Sequence, residues 1–163
     1  MDAITVLKTR RSVRKYQDKP VEKRVIEDIV DCGHLAASGR NVQPCRFVAV
    51  MEKEMKAKIA DICEYGKFIR DAAACVVVLA EESKYMLEDG SAAAQNILLA
   101  AKAYGLGSCW VCGHGKEYAA DIERLLGVPE TVKLIACIAI GYADGEASTQ
   151  KKTLEEVLHW DRW

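Results

Sequence analysis

Residues 91–104 read SAAAQNILLAAKAY, and this stretch limits the fold more than any other part of the chain. A helix that meets a core on one side carries a single apolar stripe. Here apolar residues run nearly all the way round, with Gln95, Asn96 and Lys102 as the polar exceptions, which is the pattern of a helix buried on most faces. A chain of 163 residues suits one domain, residues 1–163, with one sizeable core. Such a core cannot enclose a helix on every side. A subunit interface can, and closed two-fold homodimers are the commonest oligomers, so a homodimer is expected. Ser91 is placed to cap this helix, and Gly105 to end it in a left-handed turn.

The remaining elements follow from periodicity and punctuation. Residues 2–9 read as a short helix. Pro20 precedes a second helix over residues 22–35, where Val25, Ile26, Ile29 and Val30 share one stripe and Gly33 and Gly39 mark the exit. Residues 46–51 form a short β-rich run, and residues 54–63 are helical in pattern. The run ACVVVLA at residues 74–80 is continuous, apolar and valine-rich, and reads as a central strand. Residues 108–112 and 133–140 read as further strands. Between them residues 116–126 form a helix closed by Gly127 and Pro129. A polar segment over residues 141–152 leads to a last helical turn at residues 154–158 and an aromatic tail. Strands separated by helices imply a layered α/β or α+β domain. There is no P-loop and no strand-linked GxGxxG, which argues against a dinucleotide-binding Rossmann unit.

Charge excludes several classes of partner. Lys and Arg number 23 against 24 Asp and Glu, so nothing points to nucleic acid or an anionic membrane. The first sixteen residues lack a long apolar run and read neither as a secretion signal nor as a membrane anchor; the chain is expected in the cytoplasm. The seven cysteines then read as reduced thiols packed as small hydrophobes.

Three constellations could carry chemistry. Arg10, Arg11 and Arg14 surround Ser12, and arginine forks match phosphate oxygens bidentately, although a charge run alone is usually an exposed face. Residues 37–44, ASGRNVQP, form a polar turn between a helix and a strand, with Ser38 and Asn41 able to line a ligand. Residues 105–115, GLGSCWVCGHG, place four glycines around a strand, letting the backbone approach a flat ligand. The CxxC at Cys109 and Cys112 lies inside that strand and not at a helix N-terminus, so a thioredoxin-like role is disfavoured. A zinc site would need further ligands such as His114, or Cys32 with His34, at poor spacing. A thiol or metal module remains a rival reading, to be tested by replacing both cysteines with serine. No catalytic triad or paired carboxylates are visible, so any hard chemistry is expected to belong to a cofactor.

These motifs, in this order, resemble the nitroreductase family. RRSVR after a short helix, ASGRNVQP before a strand, the long helix running into GLGSCW, and the closing KKTLEEVL cover essentially the whole chain. The resemblance implies an α+β fold, a mainly antiparallel sheet flanked by helices, with the long helix at a dimer interface. It implies FMN as cofactor, NAD(P)H as electron donor, and a small-molecule acceptor such as a nitroaromatic, quinone or flavin served in a ping-pong cycle, with no catalytic side chain beyond the flavin itself. It also implies site residues. Arg10, Arg11 and Ser12 match the FMN phosphate and ribityl contacts, and Arg14 a cation near the pyrimidine edge. Ser38 and Asn41 match residues that reach the flavin from the partner subunit. Cys112 and Gly113 match the segment facing flavin N5, and Lys151 or Lys152 a late basic residue completing the phosphate site. Two departures alter the pocket floor: Ala37 where proline is common, and Cys45 where tryptophan is common. The short chain and altered loop leave an alternative open, a specialised dehalogenase-like or flavin-cleaving member without general reductase activity.

Overall fold

The computed structural model describes the backbone of residues 1–163 and every side chain except that of Cys112. Five α-helices and four strands are formed: α1 (Ala3–Thr9), α2 (Lys23–His34), β1 (Cys45–Val50), α3 (Lys53–Ile62), β2 (Ala74–Glu81), α4 (Met86–Ala103), β3 (Gly107–Cys112), α5 (Ala119–Leu125) and β4 (Val132–Gly141). The strands make one sheet in the order β1-β2-β4-β3, antiparallel throughout. This is the expected α+β architecture.

Helices cover both faces of the sheet. On one face Ile26 and Ile29 of α2 and Ala93, Ile97 and Ala101 of α4 pack against Val76, Val78 and Ile138. On the other, Ile59 of α3, Ile122 of α5, Ile69 and Tyr16 pack against Val77, Leu134 and Cys137. The two central strands therefore bury both sets of alternate residues, which is why β2 and β4 run apolar without alternation.

Helix ends follow local chemistry. The Asp2 carboxylate caps α1 by accepting from the Thr5 amide at 3.1 Å. At the end of α4, Gly105 adopts φ 74°, the Leu106 amide donates to Ala101 and the Gly105 amide to Lys102, which together form a Schellman cap.

Two sequence expectations need correction. The long helix starts at Met86, so Ser91 is interior and does not cap it. Gly33 lies inside α2 and does not mark its exit; a Cβ there would meet Ile97 at 2.6 Å, so the residue is small to let α2 and α4 approach. Two of the four glycines around β3 also have tight neighbours: a Cβ on Gly107 would lie 2.8 Å from Val13, and one on Gly113 would lie 2.5 Å from Leu134.

Within one chain α4 is not fully covered. Its outward residues Asn96, Leu99, Ala100 and Ala103 join Val6 and Leu7 of α1 around a shallow, largely apolar concavity of about 380 Å³. Past β4 the chain pairs with the N-terminal segment: Tyr16 and Ala143 form an antiparallel bridge, and the Asp144 amide donates to the Lys15 carbonyl at 3.0 Å. The expected final turn appears as backbone bonds from Val157 and Leu158 to Leu154, and Trp160 and Trp163 are exposed.

Candidate functional site

β3 is an edge strand, and its alternation decides which backbone groups are open. The Gly113 amide donates to the Ile135 carbonyl at 3.2 Å, so Gly113 and its alternate neighbours Val111 and Cys109 turn their polar groups toward β4. Ser108, Trp110 and Cys112 turn theirs outward. The first of these is taken, since the Val13 amide donates to the Ser108 carbonyl at 2.9 Å and Ser12 forms a parallel bridge with Ser108. Beyond it, the strand's alternation turns the backbone groups of Trp110 and Cys112 toward the outer edge, about 6.8 Å apart by strand geometry, and the Trp110 carbonyl accepts from Cys109 Sγ at 3.8 Å. Of the two residues singled out in this segment, Cys112 turns its backbone away from β4, while the Gly113 amide donates to the sheet. The Cys112 side chain lies outside the described residues.

The segment lying along this edge carries the basic cluster. Arg10 and Arg11 line a cleft of about 320 Å³ with Lys102, Gly107, Ser108 and Glu146. Their guanidinium groups behave differently. Arg11 donates from Nε to the Thr149 carbonyl at 2.9 Å and from Nη1 to the carbonyls of Lys8 and Arg10, so most of its donors are committed to main chain. Among the described residues, Arg10 forms no ion pair. The Arg11–Thr149 bond draws the C-terminal segment over the same region. Lys151 and Lys152 follow Thr149 by two and three residues and are exposed.

Arg14 sits farther along β3, in a concavity of about 180 Å³ with Tyr65, Phe68, Cys109, Trp110 and Lys116. Cys109 joins the two basic positions. Burial pushes its thiol above the ordinary range, while Arg14, a hydrogen bond with Ser12, and Arg10 pull the other way. Both arginines are therefore close enough for their fields to reach one sulfur. Cys109 and Lys102 are site-lining residues that the sequence reading did not assign. The position of Lys102 in the last turn of a helix ending beside the strand was the available signal.

The loop carrying Ser38 and Asn41 lies elsewhere. It enters β1, the opposite edge of the sheet and about 14 Å from β3 by strand spacing. The Gln43 amide donates to Ser38 Oγ at 2.9 Å, and the Gly39 amide to Asp89 Oδ1 at 2.8 Å. Asp89 is in the first turn of α4 and Lys102 in its last, thirteen residues on, about 20 Å along the helix at the standard rise. One chain therefore does not bring Ser38 and Asn41 together with Arg10, Ser12 and Arg14.

The residues that do meet fit an elongated ligand with one anionic end. Arg10 and Lys102 supply cationic donors in the cleft, the outer β3 edge supplies in-line amide and carbonyl groups, and Arg14 supplies a second cation beside them. Among the described residues, no group of three or more His, Cys, Asp and Glu side chains is placed to hold a metal ion. No helix among them is long and apolar enough to cross a membrane.

Known proteins resemble the chain along its whole length. The sequence profile of the Nitroreductase family matches residues 7–66 and 63–142. A "Putative NADH dehydrogenase/NAD(P)H nitroreductase" of Methanothermobacter thermautotrophicus is 34% identical, over 100% of this chain and 88% of its own. A solved structure of a protein of that same name from Bacteroides thetaiotaomicron superposes with a TM-score of 0.94 at 32% identity, covering 99% of this chain and 98% of its own. The structure of an FMN-dependent nitroreductase from Clostridium difficile superposes with a TM-score of 0.91 at 30% identity, covering 98% and 99%.

Proposed function

The chain belongs to the nitroreductase family, and from that membership we propose that it is an FMN-dependent oxidoreductase taking electrons from NAD(P)H and delivering them to a small-molecule acceptor. The carrying observation is the pair of arginines, Arg10 and Arg14, set beside β3 without ion-pair partners among the described residues. Bound FMN would supply the redox chemistry, accepting hydride from the nicotinamide and passing it to an acceptor such as a nitroaromatic, quinone or flavin in a ping-pong cycle.

The protein's part is binding and electrostatics. Arg10 holds the phosphate, helped by Lys102 and by Lys151 or Lys152 from the segment that Arg11 straps down. Ser12 fixes the chain against β3 through its bridge to Ser108, and Arg14 stabilises negative charge gathering at the far end of the site. The outward backbone groups of Trp110 and Cys112 set the plane of a flat ring.

The same reading makes the protein a homodimer. An isologous pair with the α4 helices antiparallel sets the N-terminus of one helix beside the C-terminus of the other. That arrangement carries Ser38 and Asn41 of one subunit across the 20 Å gap, estimated above from helix rise, to the basic cleft of its partner. It also buries the apolar face of α4 that a single chain leaves open.

The test is the visible spectrum of the purified protein supplied with FMN, followed by anaerobic titration with NADH and NADPH. Flavin bands that bleach with either donor are expected. A protein that takes up no FMN would remove the proposal. Tight FMN binding with no NAD(P)H oxidation across nitroaromatic, quinone and flavin acceptors would favour the specialised-member alternative.

A further inference from the structure

Asp89 is a carboxylate only 6% exposed, and neither the hydride chemistry nor the phosphate site calls for an acid at this position. It lies in the first turn of α4, where the helix dipole favours negative charge. Its Oδ1 accepts the Gly39 amide hydrogen at 2.8 Å. Arg46 lines the same small pocket but pairs with Glu81, so the Asp89 charge is aimed at a main-chain amide and not at a cation.

That amide opens an unusual stretch of backbone. Arg40, Asn41 and Gln43 have φ of 55°, 58° and 55°, three residues with side chains in the left-handed region within four positions. Such a run persists only where its surroundings over-determine it. The restraints are specific. Asp89 holds the Gly39 amide, Ser38 Oγ holds the Gln43 amide, and Gly39 lies so close to the Tyr85 ring that a Cβ would sit 2.7 Å from Cδ2. Tyr85 and Asp89 are four residues apart on one side of the α4 N-terminus, so they grip Gly39 together.

We propose that Asp89 is a positioning residue that holds residues 38–43 in the shape that completes the flavin site of the partner subunit. The proposal rests on the dimeric flavin reading above. Asp89 itself touches no cofactor; it acts through Gly39 on Ser38 and Asn41. Removing its carboxylate leaves a half-buried amide without its acceptor and releases the loop from the start of α4.

Complementation between subunits tests this, with FMN affinity read by quenching of flavin fluorescence. In the Asp89→Ala homodimer FMN should bind at least tenfold more weakly. Asp89→Asn, which retains an oxygen for the Gly39 amide, should recover most of that loss. The decisive sample is a heterodimer of an Arg10→Ala subunit with an Asp89→Ala subunit, isolated with two different tags. If the loop serves the partner, both lesions fall on one site and the other is intact, so half the sites should bind FMN with wild-type affinity. If Asp89 acts only within its own subunit, neither site is intact and no tight site appears, which overturns the proposal. Unchanged affinity in the Asp89→Ala homodimer overturns it as well. Should Asp89→Ala fail to fold, Gly39→Ala pushes the same loop off Tyr85 while leaving the α4 sequence untouched, and the same half-site result is expected from its heterodimer. A wild-type protein that binds no FMN would instead defeat the flavin reading on which this rests.

Discussion

Arg11 donates from Nε to the main-chain carbonyl of Thr149 at 2.9 Å, joining two residues 138 positions apart. The same side chain bonds the carbonyls of Lys8 and Arg10. An arginine whose place in the sequence matches a phosphate ligand also acts, in the fold, as a strap across the C-terminal segment.

Arg11→Ala should therefore loosen the tail more than it weakens the ligand site. Limited proteolysis followed by mass spectrometry should show faster cleavage within residues 145–163, with a stability loss of only about 0.5–1.5 kcal/mol because the lost bonds are largely exposed. An unchanged cleavage pattern would contradict the strap.

Arg10→Ala should do the reverse. It removes a charged donor assigned to the ligand, so FMN affinity should fall by about 1.5–3 kcal/mol, with the fold intact. The loss should shrink as salt is raised, since screening already weakens the wild-type contact. Equal FMN affinity for wild type and variant at moderate salt would remove the phosphate assignment.

Gly113→Ala tests whether this glycine serves packing. Its Cβ would lie 2.5 Å from Leu134 Cγ, inside a buried cluster. Overpacking of this kind costs about 1–3 kcal/mol, and denaturant unfolding should show it. Shortening the opposing side chain with Leu134→Ala should make the alanine at 113 less costly than it is alone. A loss of FMN affinity without a loss of stability would point instead to a ligand contact.

Stability should decline in alkali. Burial pushes Tyr16 and Cys109 above their ordinary values, while Cys63 is raised first by its hydrogen bond with Cys137 and then by burial. For each group the folded state holds its proton more tightly than the unfolded chain does. The stabilisation is complete below the unfolded value, 9.0 for the thiols and 10.0 for tyrosine, and is lost as pH rises toward the folded values. Lys56 works in the opposite sense, because burial lowers its pKa and deprotonation relieves the cost of its burial. The thiols and the phenol outnumber it, so urea midpoints should fall steadily above about pH 9. A flat profile between pH 8 and pH 10.5 would contradict this balance.

Much of the fold was legible because it rests on local pattern. The valine-rich run at β2 reads as a central strand since only a strand covered on both faces stays apolar at every position. Gly105 and Gly127 end their helices with the left-handed turns that glycine permits. The start of α4 was not legible. Glu88, Asp89 and Gly90 look like a polar loop before Ser91, whereas in the fold the acids sit in the first turn and Gly90 lies against Ile135, where a Cβ would be 2.7 Å away. Missing that turn hides Asp89 and Tyr85, and with them the grip on Gly39.

While the antiparallel α+β sheet was implied only by the family resemblance, the sequence by itself determined the helices and strands of a layered α/β or α+β domain and a helix too apolar for one chain to cover. Those properties follow from side-chain periodicity, which neighbouring residues set. The tertiary structure decided which arginine straps the C-terminal segment, that the Gly113 amide belongs to the sheet, and that the Ser38 loop and the Arg10 cleft lie at opposite ends of α4. Each of these depends on a partner far away in sequence, Thr149 for Arg11, Ile135 for Gly113 and Asp89 for Gly39, and no local pattern records where the fold will bring such a partner.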